Sequence, residues 1–335
     1  MTTDKRVSAD KDVDIPSHSD NGTGPDIGKM FGASDVTTFF GLPACDDVTL
    51  VNGQAVIVGV PHATPYLSVG SYCANAPAAI RKAAAPFSNN QAHMNFDVGE
   101  PTLAGPGRGA VDLGDLAVSE ETPADNRALI EQTIRSIIDR GGVPVVLGGD
   151  DSVPIPVFAA YADHAPVTVV QVDAHIDWRD EVDGERYGLS SNMRRASEMP
   201  HVAGMVQIGQ RAIGSARPAD AAAARAYGAT FISARELARL GIDYALDAIP
   251  ANTNIIINLD IDGMKPAEVP GVIGRAPGGL GYWEVVELIH GIASKSRIAG
   301  FNLLEFVPER DVDGLGANIA AHVVLNALAA IHREV

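Results

Sequence analysis

The chain has 335 residues, of which 46% are hydrophobic, so it is long enough to bury a large core. It carries 25 Lys and Arg residues against 42 Asp and Glu residues, and the formal net charge of −17 disfavours nucleic acid and anionic membranes as partners and favours a cationic substrate. It has no apolar run of roughly 18 residues, as a membrane helix needs, and no apolar segment typical of a secretory signal. Cys45 and Cys73 are too far apart in sequence for a CxxC metal or redox motif. We therefore expect a cytoplasmic protein.

The N-terminal segment, residues 1–30, differs in composition from the rest of the chain. It is rich in Asp, Ser, Gly and Lys and poor in large apolar side chains, which is typical of a disordered segment. No comparable change follows it. We therefore expect residues 31–335 to form a single domain.

Apolar runs alternate with helical patterns along this domain. Buried strands are predicted at 55–60, 143–147, 166–172, 254–259 and 298–304, with a shorter one at 111–115. Helices are predicted at 76–83, 123–140, 219–225, 232–240, 282–294 and 319–331. Because strands and helices alternate, the sequence predicts a parallel sheet with helices on both faces.

Two of the predicted strands end in candidate metal ligands, aspartate or histidine, at alternate positions. These are Asp173, His175 and Asp177 after the strand at 166–172, and Asp260 and Asp262 at the end of the strand that begins at 254. The first group alone could equally be turn-forming acids. Because extended side chains repeat every second residue and parallel strands end at one edge, two such groups are expected to converge. Four carboxylates and one imidazole suit two bridged metal ions.

Two further segments lie at the same predicted edge. His62 follows the first strand and is either a substrate contact or an ordinary loop histidine. The strand at 143–147 is followed by Gly148 and Gly149, and paired glycines allow the close backbone approach typical of ligand sites.

Three segments, GGDDS at 148–152, DAHIDWRD at 173–180 and NLDIDGMKPAEVPG at 258–271, closely resemble the signatures of the ureohydrolase family, which includes arginase and agmatinase. The likeness extends to GVPHATPY at 59–66, APAAIR at 76–81, PGGL at 277–280 and LLEFVP at 303–308. The resemblance implies a three-layer αβα sandwich with a central, mainly parallel sheet. It also implies two divalent metal ions, manganese or nickel, at the carboxyl edge of that sheet.

The resemblance implies roles for individual residues. The positions that match metal ligands are Asp151, Asp173, His175, Asp177, Asp260 and Asp262. Glu305 matches the glutamate that accepts hydrogen bonds from a guanidinium group, and Asp177 is expected to assist catalysis as a proton donor. His62 is a further candidate for substrate binding.

Three positions depart from the family pattern. Asp151 stands where most members have histidine; it still offers an oxygen ligand but adds a negative charge. Leu189 and its neighbours replace a His-Gly pair of agmatinase-like members, which puts agmatine and arginine in doubt as substrates. Lys265 replaces an aspartate and is interpreted as a solvated turn residue.

The sequence therefore predicts a dinuclear-metal amidinohydrolase that releases urea or a substituted urea and an amine from a small cationic guanidino compound. One alternative is a weakly catalytic or non-catalytic subunit that partners an active paralogue in a guanidino or biguanide hydrolase, for example one acting on metformin. Another is a deacetylase of acetylated polyamines on a related fold. Family members usually form trimers or hexamers, so we expect a homo-oligomer or a hetero-oligomer with a paralogue.

Overall fold

The computed structural model describes residues 36–104 and 109–332, so the predicted disordered segment, residues 1–30, lies outside the described residues. The strands are β1 Ala55–Val60, β2 Ala110–Asp115, β3 Val143–Gly148, β4 Val167–Val172, β5 Val202–Ile208, β6 Thr230–Ile232, β7 Asn254–Asp260 and β8 Arg297–Leu304. They form one sheet in the order β2-β1-β3-β8-β7-β4-β5-β6, and every neighbouring pair is parallel. The sequence predicted a mainly parallel sheet, and the described sheet is wholly parallel.

The α-helices are α1 Ala76–Ala84, α2 Pro123–Asp139, α3 Pro154–Ala159, α4 Asn192–Ser197, α5 Pro218–Tyr227, α6 Ala234–Leu240, α7 Ile242–Ala248, α8 Tyr282–Ala293 and α9 Leu315–Ile331. Short 3₁₀ helices lie at Phe39–Gly41, Val48–Leu50, Ala85–Asn90, Leu189–Ser191, Ile261–Gly263 and Pro308–Arg310. Within the described part of the chain, no helix has the length and apolarity needed to cross a membrane.

The helices cover both faces of the sheet. On one face α1, α6, α7, α8 and α9 pack over strand residues such as Ile57, Leu147 and Phe301. On the other face α2, α3, α4 and α5 pack over alternate residues such as Val58 and Val146. Because both faces are buried, the strands are apolar throughout rather than alternating in polarity. The predicted three-layer αβα sandwich is confirmed.

The helix boundaries follow local signals. Proline occupies the first turn of α2, and its buried residues Ile130, Ile134 and Ile137 recur at helical spacing. The helix predicted from residue 232 begins instead at Ala234. The residues before it form the short strand β6, and Ser233 caps the helix by accepting a hydrogen bond from the backbone N–H of Glu236.

A buried ion pair ties α1 to the edge strand β2. Arg81 binds Asp112 with two hydrogen bonds of 2.8 and 2.9 Å and also contacts Asp115. Gly59 on the neighbouring strand leaves room for this pair, since a Cβ there would lie 1.8 Å from Asp115 Oδ1. The acids at the end of β2 are therefore structural.

The carboxyl ends of β3, β8, β7 and β4 lie side by side at the centre of the sheet. The close approach of two segments at this edge depends on glycine. A Cβ on Gly149 would lie 2.0 Å from the carbonyl oxygen of Pro61, so no other residue fits there without movement of the backbone. The close approach at Gly149 is thus to another backbone segment, and its approach to a ligand stays a prediction.

Candidate functional site

The four central strands bring the predicted ligands together. Asp151 follows β3, Glu305 follows β8, Asp260 ends β7 and Asp173 follows β4. Each of these side chains is at most 5% exposed. The site thus lies at the carboxyl edge of the sheet, where parallel α/β sheets bind their ligands.

The candidate ligands, five aspartates and one histidine, form two groups that share one member. Asp151, Asp173 and Asp177 make one group, and Asp173, His175, Asp260 and Asp262 make the other; in each, one ligand atom per residue lies within 4.8 Å of the others. All six predicted ligands therefore belong to these two clusters, one of three residues and one of four. Asp173 is positioned to serve both.

The convergence does not arise from strand alternation alone, as the sequence interpretation assumed. β4 ends at Val172, and the chain then turns, with Asp177 in the left-handed region at φ 42°. The turn sends His175 towards Asp262, at 3.2 Å, whereas Asp177 joins Asp151. Asp262 likewise lies in a 3₁₀ turn, and its backbone N–H donates to Asp260 Oδ1 at 2.8 Å.

The clustered carboxylates perturb one another in the metal-free protein. Burial and then the charge of Asp173 raise the pKa of Asp151 and of Asp177 well above the usual range. Burial followed by the charges of Asp262 and Asp173 does the same to the pKa of Asp260. A site of this kind holds an excess of negative charge that only protons or cations can neutralise.

His175 responds in the opposite way. Burial disfavours its charged form, but the hydrogen bonds and charges of Asp173 and Asp262 outweigh burial and raise the pKa of His175 to about 11. Burial alone would raise the pKa of Asp173, but hydrogen bonds from His175 and Asp177 and the charge of His175 lower it. The imidazole is therefore protonated at neutral pH when no metal is bound.

The residues fit divalent metal ions. Both carboxylate oxygens of Asp151 are buried without a hydrogen-bond donor in the part of the chain that the structure describes, which is costly unless a cation or proton binds them. Carboxylates with one imidazole form a donor set suited to hard or borderline divalent ions such as Mn²⁺ and Ni²⁺.

Glu305 faces the same site. Its backbone has φ 64°, a left-handed conformation that costs a non-glycine residue about 1–3 kcal/mol. Two donors hold its carboxylate: Tyr72 Oη lies 2.7 and 2.9 Å from the two oxygens, and the backbone N–H of Asp151 donates to Oε1 at 3.0 Å. The strained backbone persists because these contacts fix the carboxylate at the cavity.

A cavity of about 200 Å³ opens over these groups. Its lining consists of Asp151, His175, Asp177, Leu189, Ser190, Ser215, Asp260, Asp262, Ile273, Gly274 and Glu305. Gly274 keeps one wall open, since a Cβ there would lie 2.7 Å from Asp262 Oδ2. Leu189 contributes an apolar surface to the lining.

His62 is not among the residues that line this cavity. It is buried, its Nδ1 has no hydrogen-bond partner within the described residues, and burial lowers its pKa. Its role in substrate binding stays a prediction.

Sequence reasoning missed two residues that contact the site. Tyr72 lies in the loop before α1, and nothing in the sequence of that loop indicates a partner more than 200 positions away. Gln171 donates to Asp173 Oδ2 at 2.6 Å and to Asp177 Oδ2 at 3.0 Å. A signal for it existed, because it is a polar residue in the otherwise apolar core of β4.

Comparisons with known proteins agree with this geometry. The arginase family profile matches residues 53–330, a span that contains both clusters and Glu305. Formimidoylglutamase from Bacillus subtilis is 29% identical over 313 residues (90% of this chain, 95% of the relative), and mitochondrial arginase 1 from Arabidopsis thaliana is 29% identical over 294 residues (83% and 81%). The solved structure of proclavaminate amidinohydrolase from Streptomyces clavuligerus is similar at a TM-score of 0.78 and 26% identity, covering 89% of this chain and 98% of that one.

Proposed function

The chain belongs to the arginase family, and from that premise we propose that it is a metal-dependent amidinohydrolase. It would cleave a C–N bond of a small cationic guanidino compound and release urea or a substituted urea and an amine. The observation that carries this proposal is that Glu305 lines the same cavity as both carboxylate clusters. Guanidinobutyrase from Pseudomonas aeruginosa, 31% identical over 218 residues that cover 62% of this chain, gives further support.

Two divalent ions, manganese or nickel, would be held by the two clusters. One ion would bind Asp151, Asp173 and Asp177, and the other would bind Asp173, His175, Asp260 and Asp262. Divalent ions bound at such a site supply Lewis acidity and lower the pKa of water towards neutrality. His175 binds a metal only after it loses its proton.

Glu305 would bind the guanidinium group. A carboxylate matches this planar cation in charge and shape, and each charge-assisted hydrogen bond contributes about 1.5–3 kcal/mol. Tyr72 and the backbone N–H of Asp151 orient the carboxylate before substrate arrives. Binding energy is therefore not spent on ordering the side chain.

Asp177 would carry the proton that the leaving amine needs. It lines the cavity and is itself one of the candidate metal ligands, so it lies beside the groups that react. Gln171 donates to Asp177 Oδ2, which leaves Oδ1 to accept and deliver a proton. Burial and the neighbouring charges of Asp173 and Asp151 raise the pKa of Asp177 while no cation is bound, so in the metal-loaded enzyme Asp177 would take up the proton during the reaction and pass it to the amine.

The rest of the cavity favours a substrate tail without a carboxylate. The lining residues outside the clusters and Glu305 are Leu189, Ser190, Ser215, Ile273 and Gly274, and none of them carries a charge. A buried anionic tail would find no cationic partner among them. The net charge of −17 also repels anionic substrates.

The proposal is tested by urea release from a panel of guanidino compounds with Mn²⁺ or Ni²⁺ added. The panel contains an N-alkylguanidine, agmatine with its cationic tail and guanidinobutyrate with its anionic tail. We expect the best turnover with an uncharged or cationic tail and the poorest with guanidinobutyrate. If the protein binds metal but releases urea from none of the compounds in the panel, the proposal is contradicted.

The Glu305→Gln variant tests the role of the carboxylate. It keeps the shape of the side chain but loses the charge, so we expect metal content to persist. We expect kcat/KM on the best substrate to fall roughly a hundredfold or more, because two charge-assisted hydrogen bonds are weakened and about 1.4 kcal/mol corresponds to a factor of ten. Glu309→Gln is the matched control, because Glu309 lies four residues further on, is exposed and bonds Asn75 instead. Equal activity of the two variants would refute this role.

A further inference from the structure

Four buried amide side chains form a row across the sheet. Gln207 on β5, Gln171 on β4, Asn258 on β7 and Asn302 on β8 are register partners from one strand to the next, and all are fully buried. Gln171 precedes the ligand Asp173 by two residues. Because side chains in a strand repeat every second residue, Asn258 lies on the same face of β7 as Asp260, so the row lies on the face of the sheet that carries this candidate ligand.

The hydrogen bonds fix the direction in which the row donates. Gln207 Nε2 donates to the backbone carbonyl of Ile176 at 3.0 Å and also to Gln171 Oε1. A backbone carbonyl only accepts, so Gln207 must direct its nitrogen towards Ile176 and Gln171. Gln171 therefore offers its oxygen to Gln207 and its nitrogen to the carboxylates of Asp173 and Asp177.

We propose that Gln171, oriented by Gln207, is a positioning residue of the metal centre and holds Asp173 and Asp177 in a binding arrangement. It engages one oxygen, Oδ2, of each carboxylate and so fixes how each side chain is turned. Gln207 supports the same arrangement twice, through Gln171 and through Ile176, which lies between two ligands. The inference rests on the proposed metal centre but not on the proposed substrate.

The composition of the first cluster explains why such a residue is needed. Asp151, Asp173 and Asp177 are three buried carboxylates with no neutral ligand among them. Like charges at this distance repel, and rotation of a side chain would relieve the repulsion and disperse the ligands. An amide that donates one hydrogen to each of two carboxylates opposes this dispersal. Partners of this kind typically contribute ten- to a hundredfold to metal affinity.

The test is Mn²⁺ affinity measured calorimetrically on protein stripped of metal, with no substrate present. Gln171→Met keeps the side-chain length and removes the donor, so we expect affinity to fall roughly ten- to a hundredfold. Gln207→Met should weaken binding less. The double variant should lose less than the product of the two single losses, because Gln207 acts partly through Gln171.

Asn302→Leu is the matched control, because it removes a buried amide of the same row whose nitrogen, among residues 36–104 and 109–332, bonds only Asn258. Its Mn²⁺ affinity should equal that of the parent. Parent-like affinity in Gln171→Met, or an equal loss in Asn302→Leu, would overturn the inference. If Gln171→Met does not fold, parent-like affinity in Gln207→Met overturns it instead.

The outcome also separates this inference from the proposed function. A parent protein that binds neither Mn²⁺ nor Ni²⁺ would contradict both proposals. A parent that binds Mn²⁺ tightly but hydrolyses no guanidino compound would sink the substrate alone, and the expected losses in the glutamine variants would still support the positioning role.

Discussion

Tyr72 acts on the site through a single hydroxyl. Its Oη bonds the carboxylate of Glu305, a residue whose left-handed backbone requires support from its surroundings. A hydrogen bond to a charged group contributes about 1.5–3 kcal/mol. We expect Tyr72→Phe to lower kcat/KM for the best guanidino substrate about tenfold or more while metal content stays unchanged.

Tyr161→Phe is the control for that variant. Tyr161 is also a buried tyrosine, but its hydroxyl donates to the backbone carbonyl of Ala299 within the sheet. This variant should lose stability without losing kcat/KM. If Tyr72→Phe retains full activity, Asp151 N–H alone is sufficient to orient Glu305.

The convergence of the candidate ligands could be predicted from sequence, and most of the contacts that support them could not. Asp173 follows an apolar strand and Asp260 ends one, so their position at one edge follows from sheet topology. Gln171 is marked by its polarity within β4 but its partners are not, and Tyr72 reaches the site by a tertiary contact that leaves no pattern in the local sequence. The division of His175 and Asp177 between two clusters also depends on a turn whose φ values the sequence does not specify.

At the scale of elements, the attachment of α1 to the edge strand β2 depends on Arg81. Arg81→Met would keep most of the apolar stem but leave the buried carboxylate of Asp112 without its cation. Removing one partner of a buried pair costs about 3–5 kcal/mol. We expect a loss of that size in the free energy of unfolding, measured by urea titration.

Arg135→Met on α2 is the comparison. Arg135 also binds two acids, but Asp163 is exposed and Glu131 is only half-buried, so water reaches both partners. Exposed pairs contribute at most about 1 kcal/mol, so this variant should unfold nearly as the parent does. Similar losses in both variants would contradict the structural role assigned to the buried pair.

The strands with β-branched runs, such as β4 and β7, were the plainest to predict. β5 was not predicted, because Gly204 and Gln207 interrupt its short apolar run. β6 has only three residues and borders a capped helix, so helical propensity masked it. Short edge strands form because they pair with a neighbouring strand, and a local sequence pattern carries no information about that pairing.

At the scale of the whole molecule, the predicted oligomeric state stays a prediction, whereas the acidic centre has a consequence for global stability. In the metal-free protein, burial and mutual repulsion raise the pKa values of Asp151, Asp177 and Asp260, and the neighbouring acids raise that of His175 to about 11. A group whose folded pKa exceeds its unfolded value contributes stability that is fully present below the unfolded pKa. That contribution is lost as pH rises through the folded pKa.

Unfolded aspartate and histidine titrate near about 3.9 and about 6.5, so all four groups make the metal-free protein less stable as pH rises from about 5 to 8. Metal ions bind the deprotonated forms and so bind more tightly over the same range. We therefore expect the difference in Tm between manganese-loaded and chelator-treated protein to grow from pH 5 to pH 8. Asp173→Ala removes the residue common to both clusters and should show almost no difference at any pH. A difference in the parent that stays constant, or shrinks as pH rises, would show that these carboxylates and His175 are not the groups that metal binding neutralises.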